Sequence, residues 1–198
     1  MLTFILGGAR SGKSELATKL AAASGRDVLF VATMRELDDE MRARVAAHRA
    51  ERPPSWRTVE APDDLLAAVH AEAMSGAFVV IDCVTVWLAN HLMDALPDPY
   101  GAPAEDVDGV SAELAHDVSE LASWAAAFDG DVAIVSNDVG AGVVPAYRLG
   151  RIFRDATGAA NKTLAAAAGR AYYVTAGMAL DLRALGALPI DAVARTER

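Results

Sequence analysis

One cysteine, Cys83, stands in 198 residues. That excludes an intrachain disulfide and any zinc site built from cysteines, and it suits a reducing compartment. Positive charge is scarce too: 18 Lys and Arg face 27 Asp and Glu, for a net charge of −9. This argues against a nucleic-acid partner, because a phosphate backbone needs concentrated Lys and Arg. It does not argue against a bound nucleotide, whose charge a loop and a metal ion meet locally. Long apolar runs are missing as well. The N-terminal run, Leu2 to Leu6, stops at two glycines and is too short for a signal or membrane-spanning segment. A cytoplasmic protein with no membrane span is expected. Internal repeats and low-complexity linkers are absent from the sequence. With 53% hydrophobic residues and abundant alanine, the length suits one α/β domain over residues 1–198 with densely packed helices.

What is present is concentrated near the start. Gly7, Gly8, Ala9, Arg10, Ser11, Gly12, Lys13 and Ser14 fill every fixed position of G-x-x-x-x-G-K-[ST]. An apolar, β-prone segment precedes them, and Glu15 to Ala21 reads as a helix. That strand–loop–helix context makes the pattern a phosphate site. Glycines let backbone N–H groups turn inward around an anion, and the helix N-terminus adds partial positive charge. Lys13 would reach the β- and γ-phosphates, and the Ser14 hydroxyl would ligate Mg²⁺.

Strands and helices alternate along the rest of the chain. Strands are predicted at Val28–Ala32, Trp56–Glu60, Phe78–Asp82, Asp131–Ser136 and, as the last, Ala171–Thr175. Helices are predicted at Leu37–Glu51, Asp63–Met74, Thr85–Leu96, Ser111–Phe128 and Arg148–Ala168, with a long loop over Pro97–Gly109. This is a P-loop NTPase pattern of RecA-like type. It predicts a mostly parallel sheet covered on both faces, with ligand at the carboxyl ends of its strands.

Asp82 closes a buried strand, where it either holds the magnesium shell opposite Ser14 or caps the following helix. His48 lies near the end of a helix, with Arg44 and Arg52 on the same side if the helix stays regular that far. It reads either as a nucleophile toward phosphorus, with arginines clamping a triphosphate, or as part of a solvated basic helix end. His70, His91 and His116 lack flanking ligands. Trp56, Trp87 and Trp124 read as core anchors, and Cys83 as a small core residue. Arg148, Arg151 and Arg154 form either a solvated face or a surface that meets phosphates or a subunit neighbour.

In order along the chain follow Gly7–Ser14, Ala32-Thr33, Leu37 to Met41, His48, Arg52-Pro53, Trp56-Arg57-Thr58 and Asp82 to Thr85. Asn90, Ser136 to Gly140, Gly142 to Pro145, Arg151, Phe153 to Asp155, Gly158 and Asn161 complete the series. The pattern resembles the bifunctional adenosylcobinamide kinase/adenosylcobinamide-phosphate guanylyltransferase family of cobalamin biosynthesis. The resemblance implies phosphorylation of adenosylcobinamide with ATP or GTP. It then implies transfer of GMP from GTP to adenosylcobinamide phosphate through a guanylylated histidine, at the position of His48. By the same resemblance Thr33, Met34, Arg35, Arg49, Ala50, Glu51, Arg52, Glu60 and Asp82 contact nucleotide, through backbone or packing at Met34 and Ala50. It further implies a homotrimer with sites between subunits. The sequence departs from the family pattern at Asp82 and Asp138, where Glu is common, and at Ala146, where an acid is common. The loop after Leu96 also looks longer than usual. A guanylyltransferase without kinase activity and a non-enzymatic nucleotide switch are the rival readings.

Overall fold

The computed structural model describes residues 1–36, 38–50 and 52–193, with backbone only at Glu40 and Arg44. Among these residues the strands are β1 (Leu2–Gly7), β2 (Val28–Ala32), β3 (Arg57–Glu60), β4 (Phe78–Asp82), β5 (Asp131–Asn137), β6 (Arg170–Thr175) and β7 (Met178–Asp181). The helices are α1 (Lys13–Ala23), α2 (Asp39–Ala50), α3 (Leu65–Glu72), α4 (Val84–Ala95), α5 (Ala104–Ala127), α6 (Arg148–Ala167) and a short α7 (Ile190–Val193). One sheet runs in the order β3-β2-β4-β5-β1-β6-β7, and every pairing but the last is parallel. β5 therefore lies between the strand that leads into the phosphate loop and the strand that ends in Asp82. That inserted strand is the expected RecA-like arrangement.

The central strands are apolar because both of their faces are covered. Successive side chains alternate between two cores. Phe4, Leu29, Val31, Val79, Ile81, Val132 and Ile134 face α3, α4, α5 and α6. Ile5, Phe30, Val80, Ala133 and Val135 face the other way, against Ala17 and Ala21 of α1. Trp87 is buried in the larger core, and its indole N–H donates to the Asp63 carbonyl at 2.9 Å. Trp56 and Trp124 pack at the core margins. Among the described residues no helix is long and apolar enough to cross a membrane.

Two expectations need correction. The loop predicted over Pro97–Gly109 ends early, since α5 begins at Ala104. Glu105 and Asp106 suit its positive N-terminal end. Val107, Val110 and Leu114 start a stripe that packs onto the larger core, and this outweighs Gly109. The chain also does not finish its sheet at Thr175. Ala176 and Gly177, with φ of 50° and 75°, form a two-residue turn of the kind that matches hairpin twist, and β7 returns antiparallel. The predicted helix limits Leu37 and Glu51 lie outside the described residues.

Candidate active site

The phosphate loop is shaped by close approach on one side and left-handed backbone on the other. Gly7 ends β1 against β6, and a Cβ there would fall on the Val174 carbonyl oxygen, well inside contact distance. Arg10 and Gly12 adopt positive φ, 55° and 101°, a conformation that only glycine takes without cost. α1 starts immediately after, at Lys13. The Lys13 ammonium donates to the Gly8 carbonyl at 2.5 Å. Burial pushes its pKa down, and the negative charge of Cys83 and Asp82, when ionised, pulls it back up. Ser11 is 7% exposed, and its hydroxyl has no hydrogen-bond partner among the described residues. An orphaned buried hydroxyl costs about 1–3 kcal/mol, and an anion in the loop would relieve that cost.

Asp82 closes β4 on the same rim, beside Ala32 of β2 and Val135 of β5. Burial raises its carboxyl pKa; the Ser14 hydroxyl, which hydrogen-bonds to it, opposes that rise, as do the positive charges of Arg52 and Lys13 and that of His48 when it is protonated. Ser14 and Asp82 thus present two hard oxygen ligands side by side. Magnesium accepts such a set when phosphate oxygens and water complete its shell. The described residues hold no group of three or more His, Cys, Asp or Glu able to bind a metal. The fit is therefore to a nucleotide-bound ion and not to an all-protein cage.

The neighbouring strand ends are locked by buried polar contacts. Thr33 is fully buried. Its hydroxyl donates to the Cys83 carbonyl at 2.7 Å and accepts from the Cys83 N–H at 2.9 Å. Asn90 of α4 donates to the carbonyls of Thr33 and Pro62, at 3.0 and 2.8 Å. The Thr33 side chain is consequently engaged in the interior, where it holds the ends of β2 and β4 together. Arg35 is likewise occupied, with Nε 2.9 Å from Asp63 Oδ1 and Nη1 2.9 Å from Asp94 Oδ1. Those carboxylates, Asp94 foremost, raise its pKa further.

Asp38 caps α2 by accepting the Met41 N–H at 2.7 Å, and Val45 is the buried side chain among those described on this helix. The described helix runs to Ala50, so the condition for Arg52 to share the face of His48 as a helical residue is not met. Arg52 arrives by another route, its guanidinium 3.8 Å over the Phe30 ring. Arg49 pairs with Glu60 at 2.5 Å.

These elements enclose a cleft of about 460 Å³. Ala9, Arg10, Ser11, Gly12, Lys13 and Ser14 form one part of its lining, and Thr33, Met34, His48, Arg52 and Asp82 another. A smaller cleft of about 360 Å³, lined in part by Glu15, Thr18 and Lys19 of α1, shares Ser14, His48, Arg52 and Asp82 and adds Phe30. Gly7 and Gly8 do not line the main cleft, and neither do Arg35, Arg49, Ala50 and Glu60; Glu51 lies outside the described residues. Asn137, at the end of β5, does line it. It stood in the sequence as one residue of the Ser136–Gly140 run, with no chemical signal to single it out. Two of the three α6 arginines make contacts within the chain, and the third, Arg154, lies beside Asp155 with Nε 3.4 Å from Oδ1. Arg148 donates to the carbonyls of Pro99 and Ala102, both at 2.8 Å, and Arg151 to those of Pro145 and Ala146, at 3.0 and 2.8 Å. They pin the flanking loops.

Comparison with known proteins decides the lineage. The cobinamide kinase / cobinamide phosphate guanyltransferase family model matches residues 3–182. This chain belongs to that family. It is 40% identical over 183 residues to the bifunctional adenosylcobalamin biosynthesis protein CobP of Pseudomonas aeruginosa, covering 92% of this chain and 98% of that one. It is 37% identical over 187 residues to the bifunctional adenosylcobalamin biosynthesis protein CobU of Escherichia coli, covering 92% and 100%. Among solved structures, one reported as a prototypical ATPase from the type III secretion system of pathogenic bacteria superposes with a TM-score of 0.51 at 14% identity. The match spans 98% of this chain and 60% of that one, and it supports the fold alone.

Proposed function

We propose that this chain performs both reactions for which its family is named, in one cleft. In the first, the aminopropanol hydroxyl of adenosylcobinamide attacks the γ-phosphorus of ATP or GTP, and the nucleoside diphosphate leaves. In the second, an imidazole nitrogen of His48 attacks the α-phosphorus of GTP, the bond from that phosphorus to the bridging oxygen breaks, and pyrophosphate departs. An oxygen of adenosylcobinamide phosphate then attacks the same phosphorus, the N–P bond breaks, and adenosylcobinamide-GDP leaves with His48 restored. Covalent catalysis divides one displacement into two that can each run in line. The observation that carries this reading is that His48 lines the same cleft as Lys13, Ser14 and Asp82.

In this reading the loop amides and Lys13 cradle the phosphates, and the Ser11 hydroxyl gains the partner it lacks. Ser14 and Asp82 would hold Mg²⁺, which neutralises charge developing on phosphate oxygens. Arg52 bears on the phosphates or base from the His48 side. Thr33 contributes by fixing the rim, and Met34 by packing. Arg35, Arg49 and Glu60 act from beyond the main cleft, through contacts that hold the segments around it. We also read residues 1–198 as one catalytic domain, acting in the cytoplasm as a homotrimer. Exposed Met178, Leu180, Leu185 and Ile190 near the sheet edge give subunits an apolar surface to bury.

Incubation with GTP labelled at the α-phosphorus should leave acid-labile, base-stable label on the wild-type chain and none on His48→Ala. Equal labelling of the two would sink the covalent route. Supplying adenosylcobinamide or its phosphate separately tests each half-reaction. A chain that processes the phosphate alone has lost the kinase step, and one that turns over neither is a nucleotide switch.

A further inference from the structure

Asn137 has no task in the steps above, yet its backbone is among the most tightly held in the cleft. Its Cα is the register partner of Gly7, where the phosphate loop begins. Its N–H donates to Thr85 Oγ1 at 2.7 Å, and its carbonyl accepts from Asn161 Nδ2 at 3.1 Å. The two clamps are joined to each other. Thr85 Oγ1 lies 3.0 Å from Ser136 Oγ, which donates to Asn161 Oδ1 at 2.5 Å. The next residue is fixed as well, since the Asp138 N–H donates to the Gly7 carbonyl at 2.9 Å. Thr85 and Ser136 are buried, so side chains from α4, β5 and α6 converge on the backbone of one residue.

An interior polar network whose members are satisfied rigidifies the part of the fold it joins. What it confers is direction. Among the described residues the Asn137 carboxamide itself makes one long approach, 4.0 Å, to Cys83 Sγ. A neutral amide borne on a fixed backbone and lightly engaged suits a phosphoryl oxygen, because its donors are free to meet charge as it develops.

Its place in the sheet says which phosphoryl group. In the order β2-β4-β5-β1, Asn137 stands next to the strand of the phosphate loop. His48 belongs to the helix after β2, two strands further out. With Lys13 at the β- and γ-phosphates and His48 at the α-phosphorus as proposed above, the γ-phosphoryl group falls toward Asn137. We propose that the Asn137 carboxamide donates to a γ-phosphoryl oxygen in the kinase step, with Thr85, Ser136 and Asn161 as the residues that aim it. The proposal rests on the phosphate loop holding the triphosphate as read above.

The test compares wild type, Asn137→Ala and the isosteric Asn137→Asp in both half-reactions, with thermal unfolding run alongside. Loss of one preorganised donor lowers a chemical step by about a hundredfold. The ratio of kinase turnover to His48 guanylylation should therefore fall about a hundredfold in Asn137→Ala, with KM for nucleotide within about threefold. Asn137→Asp, which adds a negative charge beside the phosphates, should fall further. Equal loss in both half-reactions, or a ratio within about threefold of wild type, overturns the proposal. A second readout does not depend on turnover. In ³¹P NMR of β,γ-imido-GTP bound in a His48→Ala background, which leaves the α,β bridge intact, adding Asn137→Ala should move the γ resonance and leave the α resonance in place. Three resonances moving together, or none moving, overturns it too. A wild-type chain that binds the analogue but lacks kinase activity would defeat the bifunctional reading, and the spectrum would still decide the role of Asn137.

Discussion

Replacing Thr33 by valine separates a residue that touches nucleotide from one that builds the place where nucleotide sits. The resemblance implies the first role, and the geometry argues for the second. The hydroxyl is fully buried and serves the Cys83 N–H and carbonyl at once. In Thr33→Val the Cys83 carbonyl keeps a partner, the Trp87 N–H at 3.3 Å, but the Cys83 N–H loses the hydroxyl that it reaches. A buried donor left without a partner costs about 1–3 kcal/mol. For a domain of this size each kcal/mol lowers the unfolding midpoint by about 2–4 °C, so a fall of about 2–12 °C is expected. Thr33→Ser keeps the hydroxyl and loses one methyl, at about 1 kcal/mol. Calorimetric or circular-dichroism melts should rank wild type, Thr33→Ser and Thr33→Val in descending order. Below the melting range, KM for GTP should stay within about threefold of wild type in both variants. A Thr33→Val protein that melts with wild type and binds GTP tenfold more weakly would refute this reasoning and return Thr33 to the nucleotide.

Gly7→Ala drives a Cβ into the backbone of β6 at Val174, which cannot yield as a flexible side chain can. Loss of about 3 kcal/mol or more is expected, together with loss of nucleotide-analogue binding by titration calorimetry. At Gly8 a Cβ meets nothing within 4 Å, so Gly8→Ala should hold its stability within about 1 kcal/mol. The exposed Asp94 carboxyl sits below its ordinary 3.8 because the Arg35 guanidinium hydrogen-bonds to its charged form. A carboxylate with a depressed folded pKa stabilises above its unfolded value, and that contribution fades as pH falls through the lowered one. Asp94→Asn should therefore flatten the acid limb of stability against pH, read as denaturant midpoints between about pH 3 and 6. An acid limb unchanged from wild type would show that the Arg35 bridge contributes nothing.

The parts of the site that were legible in the sequence are those made within one short stretch. Gly7 to Ser14 carries its own strand, turn and helix start, and Asp82 announces itself by closing four apolar residues. What escaped depends on pairings across the fold. Thr33 meets Cys83 only because β2 and β4 are neighbours, 50 residues apart in sequence. Arg35 finds its carboxylates 28 and 59 residues away, and nothing in the residues around it marks that pairing. Arg148 and Arg151 recur at a spacing that says which side of a helix they share, but their targets are loop carbonyls, which leave no trace in side-chain chemistry. The early start of α5 could be seen in the stripe Val107, Val110 and Leu114, which the nearby Pro, Gly and Asp residues obscured. Asn137 is the instructive case, since an asparagine ending a strand is ordinary until the sheet order sets it beside the phosphate loop.

That sheet order also bears on how one loop can serve attack at two phosphorus atoms. The phosphate loop and Asp82 sit on rigid ground, with Gly7 wedged against β6 and the ends of β2 and β4 tied through Thr33. His48 sits on a helix held by Val45, its Asp38 cap and contacts at the rim. Elements with few buried contacts are the ones that open at low cost. The division is chemically useful: a triphosphate can stay anchored by a fixed loop while the α-side nucleophile approaches or withdraws on its own helix. A histidine on a rigid strand would stand near the α-phosphorus throughout, including the step in which only the γ-phosphoryl group should move. If His48 carries GMP as proposed, the two reactions differ at the α-phosphorus side of the cleft, and the loop need not change between them.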